Sequence, residues 1–245
     1  MTKHEGALRF SSERDRPFMA MISVVLAAVF VAGFGPSYAR NVTSPEGLPL
    51  WVHIHGLVMA AWVLLFVVQG VLIRSGARAL HQRLGLLSIA LVAIMVPLGS
   101  ATNVLCIARG AIPPFFTPAE LFATDQLDLL VFAALYAWAL ILRRTPAWHK
   151  RLLVSALVLL TYPAIARMGL VRQFGIDMIV PISVSLVLVL ALLGPLHDLV
   201  RYRRVHPAFA WGAAIVFLAQ PAHGLLAASA PVQALVAGLV PPQST

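Results

Sequence analysis

His53 and His55 open an apolar stretch, W-V-H-I-H-G-L-V-M-A-A-W-V-L-L-F-V-V-Q-G (51–70), in a chain that carries eight histidines. By the 3.6-residue period the two imidazoles stand about 200° apart around a helix. A regular helix therefore does not aim both at one metal. His55, Met59, Trp62, Phe66 and Gln69 recur at steps of three and four and share one face, which makes them an inward stripe. His223, three residues beyond Gln220 in the last apolar stretch, falls at the depth of His55 when each is measured from its own span end at about 1.5 Å per residue. Imidazoles at matched depth on two helices are how bundles hold b-type haem or a metal, so His55 and His223 are the first candidate ligands.

A second set stands at the opposite ends of the spans. His81 and His149 each open a helix after a basic turn, and His197, His206, Arg83, Arg151 and Asp198 lie beside them in depth. His81 and His149 join the candidate ligands, although an imidazole among cations at a membrane boundary has a simpler role in meeting water and lipid phosphate. Asp128 and Arg167 fall in the layer of His55 and His223, with Ser100, Thr102 and Asn103 near them. They are expected to form an intramembrane ion pair, because an unpaired ion in hydrocarbon is costly.

Several chemistries are excluded. The only lysines are Lys3 and Lys150, so no amine in the last helix can form a retinal Schiff base. Asp128 is the one acid clearly inside an expected span, which leaves no carboxylate dyad. The single Cys106 allows no internal disulfide and no multi-cysteine metal site. There is no H-E-x-x-H, no glycine-rich phosphate loop and no G-x-S-x-G, and no dedicated metal site is expected.

The elements that position these residues follow from composition. With 60% hydrophobic and 11% charged residues and a mean hydropathy of +0.88, the chain reads as an all-α polytopic transmembrane helix bundle. Spans are expected at 18–35, 51–73, 83–106, 126–142, 151–170, 179–200 and 207–228, seven in all, between a polar cytoplasmic tail (1–17) and a periplasmic tail (229–245). Breaks are expected at Gly35-Pro36, Ser75-Gly76, Pro113-Pro114, Thr117-Pro118 and Thr145-Pro146. Pro163, Pro181, Pro195 and Pro221 fall within spans and should kink them without ending them.

Basic residues set the orientation. Of 18 lysines and arginines, only Arg40, Arg109, Arg167 and Arg172 fall on the side of the first, third, fifth and last span ends; the others cluster in the N-terminal tail and three loops on the opposite side. By the positive-inside rule the N-terminus is inside and the C-terminus outside. The same asymmetry explains the net charge of +9 without nucleic acid, and points to the bilayer and to anionic lipid headgroups on the cytoplasmic face as partners. Membrane-protein partners or a homo-oligomer are compatible with it.

A weak internal echo links Arg74–Leu87 with Arg144–Val154, each a basic turn followed by H-x-R-L. A duplicated hairpin bringing equivalent histidines together and independent basic helix starts both account for it. The series H-x-H-G at His53–Gly56, Gln69, H-x-R-L-G at His81–Gly85, R-R-x-P-x-x-H-K-R-L at Arg143–Leu152 and R-R-x-H-P-A at Arg203–Ala208 resembles a widespread family of uncharacterised bacterial multi-pass inner-membrane proteins, over about residues 50 to 225. The resemblance implies a bacterial inner-membrane protein of several helices and carries no activity with it.

Two function classes stand at this point. The best specific expectation is a histidine-ligated b-type haem or metal redox component. The alternative is a non-redox membrane carrier, sensor or assembly factor with a polar intramembrane cavity.

Overall fold

A chain segment crossing hydrocarbon must bond every backbone N–H and C=O within itself, which selects helices for these apolar stretches. The computed structural model describes residue 10, residues 12–43 and residues 47–240, apart from the side chains of Ser12, Leu170 and Val171. The expected tail up to residue 9, with His4, and residues 241–245 lie outside the described residues. Ten helices follow in order among them: α1 (Ser12–Val42), α2 (Leu50–Arg74), α3 (Arg78–Ala108), α4 (Pro118–Ile141), α5 (Pro146–Leu159), α6 (Tyr162–Ala166), α7 (Gly169–Arg172), α8 (Ile176–Tyr202), α9 (Pro207–Ala227) and α10 (Ala230–Ala237).

Six of these, α1, α2, α3, α4, α8 and α9, are long and apolar enough to cross a membrane. Each exposes large apolar side chains, among them Val31, Leu57, Leu86, Ile141, Val200 and Leu218. Surface of that kind is stable only when something apolar covers it, and a lipid bilayer does so. The chain is an all-α multi-pass membrane bundle.

The fifth expected span is a broken helix. α5 begins with Pro146 at its first turn, where the missing N–H costs nothing, and stops at Leu160. Pro163 then lies in the first turn of α6; it starts a new helix where a kink inside a continuous one was expected. Thr161 Oγ1 donates to the Val158 carbonyl at 2.6 Å and satisfies one of the acceptors left at the break. The break is tolerated because protein, not lipid, surrounds it: Leu152, Ala156, Leu157, Val158, Leu159, Thr161 and Ile165 are all buried. α5 is the hub of the bundle, packed by α1, α4, α8 and α9, while the α2–α3 hairpin leans on α1 and α4. The segment still runs from one end of the bundle to the other, since Arg151 meets residues of the basic end and Arg167 a cleft at the opposite end.

Several boundaries differ from expectation. α1 continues through Gly35 and Pro36 to Val42, and it starts at Ser12, inside the expected polar tail. In an apolar setting the chain has more to gain from keeping the remaining helical bonds than from opening at one proline. Close packing holds it there: the Gly33 backbone lies against the Ala164 carbonyl with no room for a Cβ between. α4 starts at Pro118, earlier than the expected 126, behind a capping box in which Thr117 Oγ1 accepts from Glu120 N at 3.2 Å and the Glu120 carboxylate accepts from Thr117 N at 2.8 Å. After α9, residues 230–237 form α10, whose Val232 and Val236 pack with Ile107, Leu121 and Ala123 in a small second core where a tail was expected.

Candidate functional site

At the end carrying the basic loops, Arg151 is fully buried. Its Nε and Nη2 donate to the two Asp198 oxygens at 3.0 and 2.7 Å, and Nη2 also donates to Asp15 at 2.9 Å. Asp15 further accepts from Tyr202 Oη at 2.6 Å and pairs with Lys150 at 2.6 Å. Asp198 accepts from the His206 backbone N–H at 3.1 Å. The network ties α1, α5, α8 and α9 together with every charge compensated, the only form in which buried ions are tolerated. Asp15, His197 and Asp198 bring potential metal-ligating atoms within 4.8 Å of one another, but the guanidinium and ammonium already claim both carboxylates and would repel a cation. This end is a brace.

The sequence missed Asp15, which hides in the polar run E-R-D-R where no periodicity marks it. His197 stacks on Phe18 at 3.9 Å, and His206 caps α9 by accepting Ala208 N–H at Nδ1. Burial and the neighbouring Arg151 hold the His206 imidazole down to about 4. Asp198, Lys150 and Asp15 are the other charges that act on it.

His81 and His149 stand within electrostatic range of each other at the same end. His149 Nδ1 bonds the Ala139 carbonyl at 2.8 Å, which leaves Nε2 as the nitrogen available to a ligand. His81 Nδ1 is buried with no hydrogen-bond partner among the described residues, and its backbone carbonyl accepts from Gln69.

The opposite half of the bundle holds the second polar cluster, built on α4. The early start of that helix places Asp125 and Asp128 both within it, one turn apart on one face. Asp128 Oδ1 meets His223 Nε2 of α9 at 2.9 Å. Asp125 Oδ2 accepts from Asn103 Nδ2 of α3 at 2.8 Å. Asn103 Oδ1 accepts from Gln126 Nε2 at 3.2 Å, and Gln126 Oε1 accepts from Ser100 Oγ at 2.8 Å. A polar chain thus runs from Ser100 on α3 to Asp125 on α4, one helical turn from the Asp128–His223 pair.

No family model matches the chain, and neither curated proteins nor solved structures show a significant similarity to it. Its working groups are read from the geometry alone.

That geometry revises two expectations. Asp128 pairs with His223 and not with Arg167; among the described residues Arg167 forms no ion pair, donating Nη1 to the Pro163 carbonyl at 2.8 Å and resting its guanidinium 5.2 Å over Phe34. Arg167 closes α6 after the break, with its guanidinium over Phe34 of α1 and within electrostatic range of Asp125 on α4. Asp128 is also not the one acid at depth, since Asp125 lies a turn before it. The T-P-A-E start of α4 was the available signal for this.

His55 and His223 sit on helices with different neighbours: α2 packs on α1 and α3, whereas α9 packs on α4, α5 and α8. His55 Nδ1 is buried with no hydrogen-bond partner among the described residues, and Arg167 is the charge that acts on the ring. The stripe expected on α2 is present, with Trp62 buried edge-on against Phe132 and Tyr136. Of the neighbours expected for the cluster, Ser100 and Asn103 join it; Thr102 Oγ1 is buried with no hydrogen-bond partner among the described residues.

Proposed function

We propose that this chain is a bacterial inner-membrane protein of the family its motifs resemble, with the basic end in the cytoplasm, and that it works as a non-redox carrier or sensor through the Asp125–Asp128–His223 cluster. The observation that carries the reading is the 2.9 Å contact between His223 and Asp128 with a second carboxylate one turn away. Two carboxylates and an imidazole so placed share fewer protons than they have sites, and adding or removing one changes the charge that α4 and α9 must accommodate between them. Such a cluster reports or couples to a proton. Infrared difference spectra between neutral and mildly acidic pH should show a protonated-carboxyl band that Asp128→Asn or Asp125→Asn removes or shifts. Spectra identical in both variants and the wild type would end this reading.

A redox role is the second reading, and one observation favours it. His149 is held by its Nδ1 bond to Ala139, the device that orients an imidazole toward a metal, and His81 stands near it with an unpartnered nitrogen. A b-type haem held there gives a coloured protein whose visible bands are lost in His149→Ala. A colourless preparation from cells well supplied with haem excludes it.

A further inference from the structure

We propose that the cleft at the end opposite the basic loops is a phosphate-binding site, with Arg40, Arg167 and Arg172 as its cationic ligands. The cleft has a volume of about 550 Å³ and lies between the end of α1, the loop before α4 and the α6–α8 corner. The three arginines come from three separate places in the chain: the last turn of α1, the residue closing α6, and the end of α7. No acidic residue lines the cleft among the described residues.

The placement runs against the charge asymmetry of the chain. Only four basic residues fall on this side, and three of them meet in this one cleft. Loops on this side are depleted of arginine because basic residues bias a segment toward the other face. Among the described residues no carboxylate forms an ion pair with these three guanidinium groups, and Asp125, outside the cleft lining, is the acid that acts on Arg167; the groups still repel one another, and an anion in the cleft relieves that repulsion. Arg167 is the anchor. The Pro163 carbonyl and the Phe34 ring hold it, and among the described residues the rest of its five-donor fork has no hydrogen-bond acceptor. Asn41 adds a polar group to the wall, and Ile112 and Phe115 add an apolar one.

A planar fork with further guanidinium groups beside it matches a phosphate, whose several oxygens and up to two charges need more than one cation. The phosphate is either free or the headgroup of an anionic lipid, for which the apolar wall offers a place for the first carbons of a chain. The cleft does not include the Asp128–His223 contact, and Arg167 lies within electrostatic range of Asp125; phosphate binding by the three arginines does not depend on the proton reading.

The test uses the purified full-length chain, with inorganic phosphate titrated calorimetrically in detergent and phospholipid presented in nanodiscs of phosphatidylglycerol or phosphatidylcholine. The double variant Arg40→Gln/Arg172→Gln changes two exposed side chains and should fold normally. It should bind at least about tenfold more weakly, a difference of roughly 1.4 kcal/mol, while Arg109→Gln, on the same side but outside the cleft, should bind as the wild type does. Phosphate binding in detergent identifies a free ligand. Preference for phosphatidylglycerol alone, lost in the double variant, identifies a headgroup. If neither ligand binds, or if the double variant and Arg109→Gln bind as well as the wild type, the proposal is overturned.

Discussion

His206 caps α9 through a neutral ring nitrogen, since Nδ1 can accept the Ala208 N–H only when it carries no proton. Its ionisation is held down to about 4 from the ordinary 6.5 by burial and by Arg151. The sign follows from linkage: between these two values the unfolded chain binds a proton at this residue and the folded chain does not, so acidification favours unfolding. Stability should therefore fall as pH drops below about 6.5, by up to about 1.4 kcal/mol per pH unit from this group, and the loss should level off near 4. His206→Asn keeps a capping oxygen and removes the titration. Thermal melts in detergent across that range should be flatter for the variant than for the wild type; superimposable profiles would show that His206 does not carry the acid sensitivity.

At the scale of elements, the crossing of α1 over the broken fifth segment depends on Gly33. A Cβ there would overlap the Ala164 carbonyl, and neither the α1 backbone nor the α6 backbone can yield without disturbing buried neighbours. Gly33→Leu should cost a few kcal/mol, in the range of overpacked sites, whereas Gly56→Ala, which meets open space, should be neutral or stabilising by up to about 1 kcal/mol, the helix-propensity gain. A melting temperature for Gly33→Leu equal to that of the wild type would mean that the two segments do not approach so closely. This contact also marks what could be read in the sequence. Turn chemistry marks Thr117-Pro118 and Thr145-Pro146 as breaks, and in the structure each is also a helix start, of α4 and α5, earlier than the apolar run alone indicates. The end of α1 and the break after Leu160 were not legible, because a proline between small residues looks the same whether tertiary packing preserves or interrupts the helix.

Across the whole molecule, segments alternate between two ends, and each end assembles its own polar cluster. The Asp15–Arg151–Asp198 brace gathers α1, α5, α8 and α9 at one end, and Asp125, Asp128 and His223 gather α4 and α9 toward the other. We expect the basic end to be cytoplasmic. A fluorescent reporter that matures only in the cytoplasm should be bright on the N-terminus and dark on the C-terminus; the reverse pattern, or two bright fusions, would contradict the orientation. Depth along a helix was legible for His223 and Asp128, which is why both were singled out. Their partnership was not, because which faces meet depends on the order of helices around α5, and no spacing within one helix encodes that.

The most direct measurement is a pair of double-mutant cycles on Asp128. Each compares thermal stability in detergent for two single variants and their combination. Asp128→Asn with His223→Gln should be strongly non-additive, with a coupling of about 1 to 3 kcal/mol, because the two side chains share one hydrogen bond. Asp128→Asn with Arg167→Gln should couple much less, because among the described residues no hydrogen bond or ion pair joins the two side chains and they meet only through their shared neighbour Asp125. Additive losses in the first cycle together with coupling in the second would contradict the cluster described here and restore Arg167 as the partner of Asp128.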